Sequence, residues 1–180
     1  MKNNAKKIIS LVLCFVFVFS LLPLNAAAES TGLEIGTPDE MRQFADRVNA
    51  GETFEGQTVI LTANIDLGGE ENPWTPIGSK SAQFKGTFDG GYHIISGLYV
   101  SGTTYSGLFG NVKGGTVKNI VVEGKVSGTS NVAGVVAYLD GGKIENCGNR
   151  ADISGGSAVG GVAGYLNGAC TVSSCFNTGS

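Results

Sequence analysis

The chain has 180 residues, a formal net charge of −3 and 29 glycines, a share far above the roughly 7% usual in proteins. This acidic balance argues against nucleic acid or an anionic membrane surface as a partner, because both are bound through basic patches. Apolar residues make up 42% of the chain, which excludes a disordered glycine-rich tract.

Residues 1–28 have the organisation of a signal peptide. Lys2, Lys6 and Lys7 precede an apolar stretch over residues 8–24, and small residues follow up to Ala28. The apolar stretch is marginal for a membrane span, whereas the alanines suit cleavage. We therefore expect a secreted, cell-surface-associated chain with no membrane span after cleavage. Loss of the three lysines would bring its net charge to −6.

Residues 29–51 are predicted to be a linker followed by a helix. Thr37 is placed as the N-cap, Pro38 as the first helical residue and Glu40 as the partner that completes a capping box. Gly51 ends the segment, and one apolar face follows helical spacing, comprising Met41, Phe44, Ala45 and Val48. We expect this helix to cover the first coil of the β-structure that follows.

Residues 52–104 alternate short apolar runs with turn residues. The runs at 59–61, 65–67, 74–77, 84–88 and 93–100 are predicted strands, separated by turns such as Gly68-Gly69 and Asp89-Gly90-Gly91. We interpret this segment as the first, degenerate coils of the domain.

Residues 105–180 repeat with a period of about 27. Gly107, Gly134 and Gly161 occupy equivalent positions of successive repeats. One extra residue near Ala169 shifts the alignment of the last repeat. Each repeat is composed of residue types typical of strands and turns. A unit of this size cannot bury its own apolar side chains, so successive repeats must stack. The pattern predicts an all-β, single-stranded parallel β-helix, a solenoid with a short N-terminal capping helix.

Stacking in register predicts columns of equivalent side chains. Asn119 and Asn146 are predicted to form a corner ladder of side-chain amides. The inward columns are Leu108, Val135 and Val162; Ile120, Cys147 and Cys175; and Val126 with Ile153.

These rows resemble the GLUG-repeat proteins of bacterial surfaces, named for a Gly-Leu-apolar-Gly step. Residues 107–110 match that step fully, residues 161–164 match it with Val162 for leucine, and residues 134–137 lack the last glycine. The lead-in over residues 74–98 is also similar, so the resemblance covers about residues 35–180. It implies a non-catalytic part of an adhesin or wall-attached protein, although some such repeats accompany peptidases or carbohydrate-active domains in longer chains.

A C-terminal cap is not evident, so the repeats are expected to be truncated at Ser180 and to continue into further repeats or domains. The preferred function is an adhesion or ligand-display scaffold that contacts a glycan or a host or cell-wall surface. The alternative is the leading solenoid of a larger secreted peptidase or polysaccharide-degrading enzyme whose active site lies beyond residue 180.

Catalytic residues, metal ligands and cofactor sites are not predicted. His93, the only histidine, and Asp89 are assigned structural roles at a turn, with calcium binding by Asp89 as a minor alternative. Glu145 aligns with Lys118 and Ser173, so no column of carboxylates suited to glycoside hydrolysis is expected.

Two groups of side chains leave alternatives open. Three cysteines remain after signal cleavage, Cys147, Cys170 and Cys175. Cys147 and Cys175 are expected to stack as an apolar ladder, and the alternatives are a strained disulfide between them or a metal site. Tyr138 and Tyr165 are either a packed corner ladder or an exposed aromatic stripe that stacks on sugar rings. They are the weak candidates for ligand binding.

Overall fold

The computed structural model describes residues 32–180, and the signal peptide predicted over residues 1–28 lies outside them. Within residues 32–180, ten strands form one sheet in which every pairing is parallel, together with one α-helix near residue 40, which confirms the all-β parallel solenoid. The elements in chain order are β1 (Leu33–Ile35), α1 (Pro38–Asn49), β2 (Thr58–Leu61), β3 (Ile65–Asp66), a 3-10 turn (Gly69–Glu71), β4 (Thr87–Ser106), β5 (Phe109–Lys113), β6 (Thr116–Ala133), β7 (Val136–Asn149), β8 (Asp152–Gly160), β9 (Ala163–Ser173) and β10 (Phe176–Asn177).

Strand register confirms the period that the repeats predict. Val117 pairs with Ile144, and Ile144 pairs with Val172 in the following coil. The register shifts by one residue between Asp140 and Gly142, which is where the extra residue near Ala169 is accommodated. Equivalent side chains are therefore one strand spacing apart, about 4.8 Å.

The inward columns form one continuous core. Ile120 pairs with Cys147, and both side chains are fully buried. Val126 is fully buried as well and pairs with Ile153. Because each column spans several coils, the apolar side chains of one coil are covered by those of the next.

Two corners of the coil place non-glycine residues in the left-handed region. At one corner these residues are Tyr92, Asn119, Asn146 and Ser174, with φ between 53° and 63°. Asn146 Nδ2 donates to Asn119 Oδ1 at 3.2 Å, which confirms the corner ladder. Asparagine tolerates this backbone conformation better than other side chains, so its place in the repeat has a conformational reason.

Helix α1 begins as the sequence predicts. Thr37 Oγ1 accepts from the Glu40 N–H at 3.2 Å, and Glu40 Oε2 accepts from the Thr37 N–H at 3.0 Å, so the capping box is complete. The buried face is the predicted one, comprising Met41, Phe44, Ala45 and Val48. This face belongs to the same apolar core as the coils.

Polar side chains of α1 also satisfy backbone groups of the first complete coil. Asn49 Nδ2 donates to the Pro76 carbonyl at 3.2 Å, and Asn49 Oδ1 accepts from the Gly78 N–H at 2.9 Å. Arg42 Nη2 donates to the carbonyls of Leu67 at 2.8 Å and Asn72 at 3.0 Å. The helix therefore covers both the apolar end and part of the polar strand edge at the N-terminus.

Some expectations about the first coils are wrong. In the strand predicted over residues 84–88, residues 84–86 lie outside β4, and Phe84 makes only an isolated bridge to Val112. Residues 74–77 do not form a strand, because Trp74 donates its indole N–H to the Leu108 carbonyl while Ile77 makes only an isolated bridge to Phe109. The backbone then turns at Gly78, whose φ is 84°, beside α1. Conversely, the segment before α1 contains the short strand β1, which pairs with β2 and starts the sheet.

Candidate functional site

The tyrosines singled out by the repeats lie in one column on the outer side of the coil. Tyr138 on β7 pairs with Tyr165 on β9, and their ring centroids are 5.3 Å apart with planes 4° from parallel. The core residue next to Tyr138, Leu139, is fully buried, so side chains alternate between the core and the outer face here. The two rings stack on each other as a ladder.

A third tyrosine, which the repeats did not identify, extends this ladder. The ring of Tyr105 meets that of Tyr138 edge-on, with centroids 5.6 Å apart and planes at 86°. Tyr105 precedes its repeat at a left-handed corner with φ of 61°, so it is not at the position equivalent to Tyr138. Aligning the repeats by their period therefore does not identify Tyr105. We refer to Tyr105, Tyr138 and Tyr165 as the tyrosine ladder.

Exposure differs along the tyrosine ladder. Tyr138 is half-buried between its two neighbours, whereas 46% of Tyr165 is exposed. Partial burial raises the pKa of the Tyr138 phenol, and the nearby Asp140 carboxylate adds to that shift. The phenol therefore stays protonated at neutral pH and can donate a hydrogen bond.

The residue that begins this column is polar and buried. Asn111 on β5 pairs with Tyr138 and is 5% exposed. Its Oδ1 atom has no hydrogen-bond partner within residues 32–180. An unpaired buried carbonyl oxygen costs free energy.

Tyr105 also lines a shallow groove next to α1. The groove has a volume of about 280 Å³ and a mostly apolar wall. It is lined by Asn49, Thr75, Pro76, Gly78, Ser79, Thr104 and Tyr105. The amide of Asn49 is already bonded to the backbone, and Ser79 Oγ accepts from the Ala82 N–H at 3.2 Å.

A polar column runs beside the tyrosine ladder, two residues further along each strand. Lys113, Asp140 and Asn167 pair in register. Lys113 Nζ lies 3.4 Å from Asp140 Oδ2, and Asn167 Nδ2 donates to Asp140 Oδ1 at 2.7 Å. An aromatic column next to a column of hydrogen-bonding groups is an arrangement that can bind a polyhydroxylated ligand.

Asp89 has the structural role that the sequence predicts. Its Oδ1 accepts from the Gly91 N–H at 3.0 Å and from Asn119 Nδ2 at 2.9 Å, while Lys118 Nζ lies 3.1 Å from Oδ2. The carboxylate thus continues the corner ladder of Asn119 and Asn146. Both of its oxygens are engaged by protein donors, and no group of three potential metal ligands occurs in the described part of the chain.

The Asp89 network predicts a pH dependence of stability. Burial alone would raise the pKa of Asp89, but the bonds from Asn119, Gly91 and Lys118 outweigh it and lower that pKa. A pKa lowered by folding contributes stability above the unfolded value of about 3.9, and this contribution is lost as the pH falls through the folded pKa. We expect Asp89→Asn to destabilise the fold at pH 7 and to have a smaller effect near pH 2.5, measured by urea unfolding. An effect that is equal at both values would contradict this network.

The neighbouring residues of His93 and Glu145 also agree with structural roles. His93 Nδ1 is 3.3 Å from Asn64 Oδ1, and that oxygen also accepts from the Ile94 N–H at 2.9 Å. Glu145 is in register with Lys118 on one side and Ser173 on the other, as predicted. The neighbours of this acid along the coil axis are thus a cation and a hydroxyl.

All three cysteines of the described chain are free thiols. Cys147 and Cys175 lie at equivalent positions of adjacent coils, as the repeats predict. Burial raises the pKa of the Cys147 thiol to about 12, so it is protonated and unreactive at neutral pH. This arrangement agrees with the apolar ladder among the alternatives left open by the sequence.

Comparison with known proteins supports the fold. No family model matches the chain, and no curated protein matches it either. A solved structure from Bacteroides ovatus, named as a "putative immunoglobulin A1 protease", matches with a TM-score of 0.57 over 84% of this chain at 18% identity. At that identity the likeness shows the fold alone. The chain spans 58% of the length of that structure.

Among residues 32–180, no helix is long and apolar enough to cross a bilayer.

Proposed function

We propose that this chain is a non-catalytic extracellular repeat module of a bacterial cell-surface or secreted protein, which serves as a scaffold for adhesion or ligand display. The resemblance to GLUG-repeat proteins and the signal-peptide pattern of residues 1–28 support this assignment. The observation that carries the ligand-binding part is the tyrosine ladder beside a column of hydrogen-bonding side chains.

A glycan is the ligand class that suits this surface best. The apolar face of a pyranose ring stacks on an aromatic ring, and its hydroxyls need donors and acceptors around the ring edge. Tyr165 offers the aromatic surface, while Asp140, Asn167 and Lys113 offer an acceptor, an amide and a cation two residues away. The stacked partner Tyr138 holds the Tyr165 ring in one orientation, which lowers the entropy lost on binding.

Substitution within the tyrosine ladder tests the proposal. We expect Tyr165→Ala and Tyr138→Ala each to weaken binding to the preferred glycan at least about fivefold, because each removes stacking surface or its support. The measurement is a glycan array with the purified chain, followed by titration calorimetry on the best ligand.

The matched control is Tyr92→Ala, since Tyr92 is a 78% exposed tyrosine on another corner of the coil. Equal affinities for wild type and both ladder variants would remove the tyrosine ladder from the proposal. Absence of any glycan or host-surface ligand for the wild-type chain would count against the adhesion function itself.

A second candidate is that the chain is the leading solenoid of a larger secreted peptidase or polysaccharide-degrading enzyme. The likeness to the longer Bacteroides ovatus structure favours it. Sequencing the gene downstream and assaying the complete protein on immunoglobulin A1 and on polysaccharides distinguishes the candidates. Turnover by the complete protein, but not by residues 29–180, would favour this second candidate over the first.

A further inference from the structure

Tyr105 occupies a backbone position that is unfavourable for a tyrosine. It lies at a left-handed corner with φ of 61°, and the pairing of Ser106 with Val132 makes Asn131 its equivalent in the next coil. Asparagine tolerates this conformation, whereas a bulky side chain rarely adopts it. Strained positions of this kind cluster at ligand-binding sites, so Tyr105 is a candidate for a role in binding.

The Tyr105 ring is shared by two neighbouring surfaces. Its edge-on contact with Tyr138, at 5.6 Å between centroids, makes it the first ring of the tyrosine ladder. The same residue lines the groove of about 280 Å³ beside α1. Tyr105 is only half-buried and does not belong to the apolar core. The groove and the tyrosine ladder are therefore continuous through this ring.

The lining of the groove favours an uncharged ligand that carries hydroxyl groups. Pro76 and Tyr105 contribute apolar surface, while the exposed residues Thr75 and Thr104 bring hydroxyl groups. None of the described residues that line the groove is charged, so nothing there compensates for burying a carboxylate, phosphate or ammonium group. The volume is close to the lower limit of small-molecule sites, roughly 300 Å³, so the groove accommodates a single small unit.

We propose that the groove is a second subsite, which takes a neutral pyranose unit of the same glycan chain that lies on the tyrosine ladder. This inference rests on the proposed function, because the tyrosine ladder supplies the first contacts with the glycan. Tyr105 determines the preference for a longer ligand, since its ring joins the two subsites. Once one unit is bound to the tyrosine ladder, the next is held close to the groove, and its binding costs less entropy.

Glycan length and charge test the proposal. The probe is an array of neutral and uronic-acid oligosaccharides, each in lengths of about one to six units, with polyproline peptides included. The best neutral series is then titrated by calorimetry with the purified chain. We expect the longer neutral members to bind at least about tenfold more tightly than the shortest. Tyr105→Asn should remove most of this gain and weaken the longer members at least about fivefold, because it removes the shared ring.

Two further variants separate binding from folding. Tyr105→Asn should be as stable to urea as wild type, because asparagine accepts the left-handed corner. If it is less stable, Thr104→Leu decides, since this change fills part of the groove, removes a hydroxyl and leaves the Tyr105 ring in place. It should weaken the longer members at least about threefold. The matched control is Tyr92→Asn, the same change at a left-handed corner with φ of 63° outside the groove, which should leave affinity unchanged.

Several outcomes would overturn the second subsite. They are an affinity that does not rise with glycan length, a preference for uronic-acid members, and wild-type affinity in both Tyr105→Asn and Thr104→Leu. Binding of polyproline in place of any glycan would also overturn it, since such peptides dock in aromatic grooves too. If Tyr138→Ala weakens glycan binding while these two variants do not, only the second subsite is lost. If Tyr138→Ala and Tyr165→Ala have no effect either, the glycan function itself fails.

Discussion

Replacing Phe44 by alanine should lower the free energy of unfolding by about 3–5 kcal/mol, the range for removing a large aromatic side chain from a core. Phe44 is 1% exposed, and its ring centroid lies 5.1 Å from that of Phe54, 5.7 Å from Phe84 and 5.9 Å from Phe88. These partners come from segments of the first coils, so the ring joins α1 to the sheet. Its removal leaves a cavity where the helix meets the coils.

The measurement is urea unfolding of wild type and variant, followed by circular dichroism. Phe176→Ala is the matched control, because Phe176 is 43% exposed at the opposite end and should change stability by less than about 1.5 kcal/mol. If Phe44→Ala and Phe176→Ala lower the free energy of unfolding by the same amount, α1 does not act as a cap. A lower slope of unfolding free energy against urea for Phe44→Ala would indicate that the helix has detached from the remaining native structure.

The second large effect concerns the first glycine of the repeated step. A Cβ atom at Gly134 would lie 1.9 Å from Asn149 Oδ1, so alanine cannot fit unless that amide moves. The amide is not free to move, since Asn149 Nδ2 donates to the Ala151 carbonyl at 2.9 Å and to Asn177 Oδ1 at 2.7 Å. Gly134→Ala and Asn149→Ala should each destabilise the fold by about 1–3 kcal/mol, the first by overpacking and the second by leaving buried backbone groups unpaired.

Because the two side chains would occupy the same space, their effects should not add. In the double variant we expect the loss of stability to be smaller than the sum of the single losses by at least about 0.5 kcal/mol. Gly107 is the matched control, because a Cβ there would meet the Ala133 and Phe109 carbonyls and not Asn149. Additive effects of Gly134→Ala and Asn149→Ala would show that the glycine and the asparagine are independent.

The sequence predicts those parts of the fold that local patterns determine. The capping box at Thr37 and Glu40 lies within four residues, and the period follows from glycines that recur at Gly107, Gly134 and Gly161. The predicted columns follow directly once equivalent residues are stacked. The corner ladder of Asn119 and Asn146 was found in this way.

Long-range contacts outside the repeat could not be predicted by the same means. Arg42 bonds to carbonyls 25 and 30 residues away, and nothing near it in the chain specifies those acceptors. Strand β1 was missed because three residues carry too little pattern, and its strand state depends on pairing with β2. In the tyrosine ladder, Tyr138 and Tyr165 were found by their shared position, whereas Tyr105 reaches the ladder from a corner outside the alignment.

The parallel register has a consequence for how the chain acquires its structure. Pairs such as Thr87 with Thr116 and Lys118 with Glu145 join residues about one coil apart, so each new coil needs only the coil before it as a template. Strand β1 and the helix that covers the first coil are also the parts of the described chain that are synthesised first. Folding can therefore proceed in the direction of synthesis, one coil at a time, with only the newest strand edge open to misassembly at any moment.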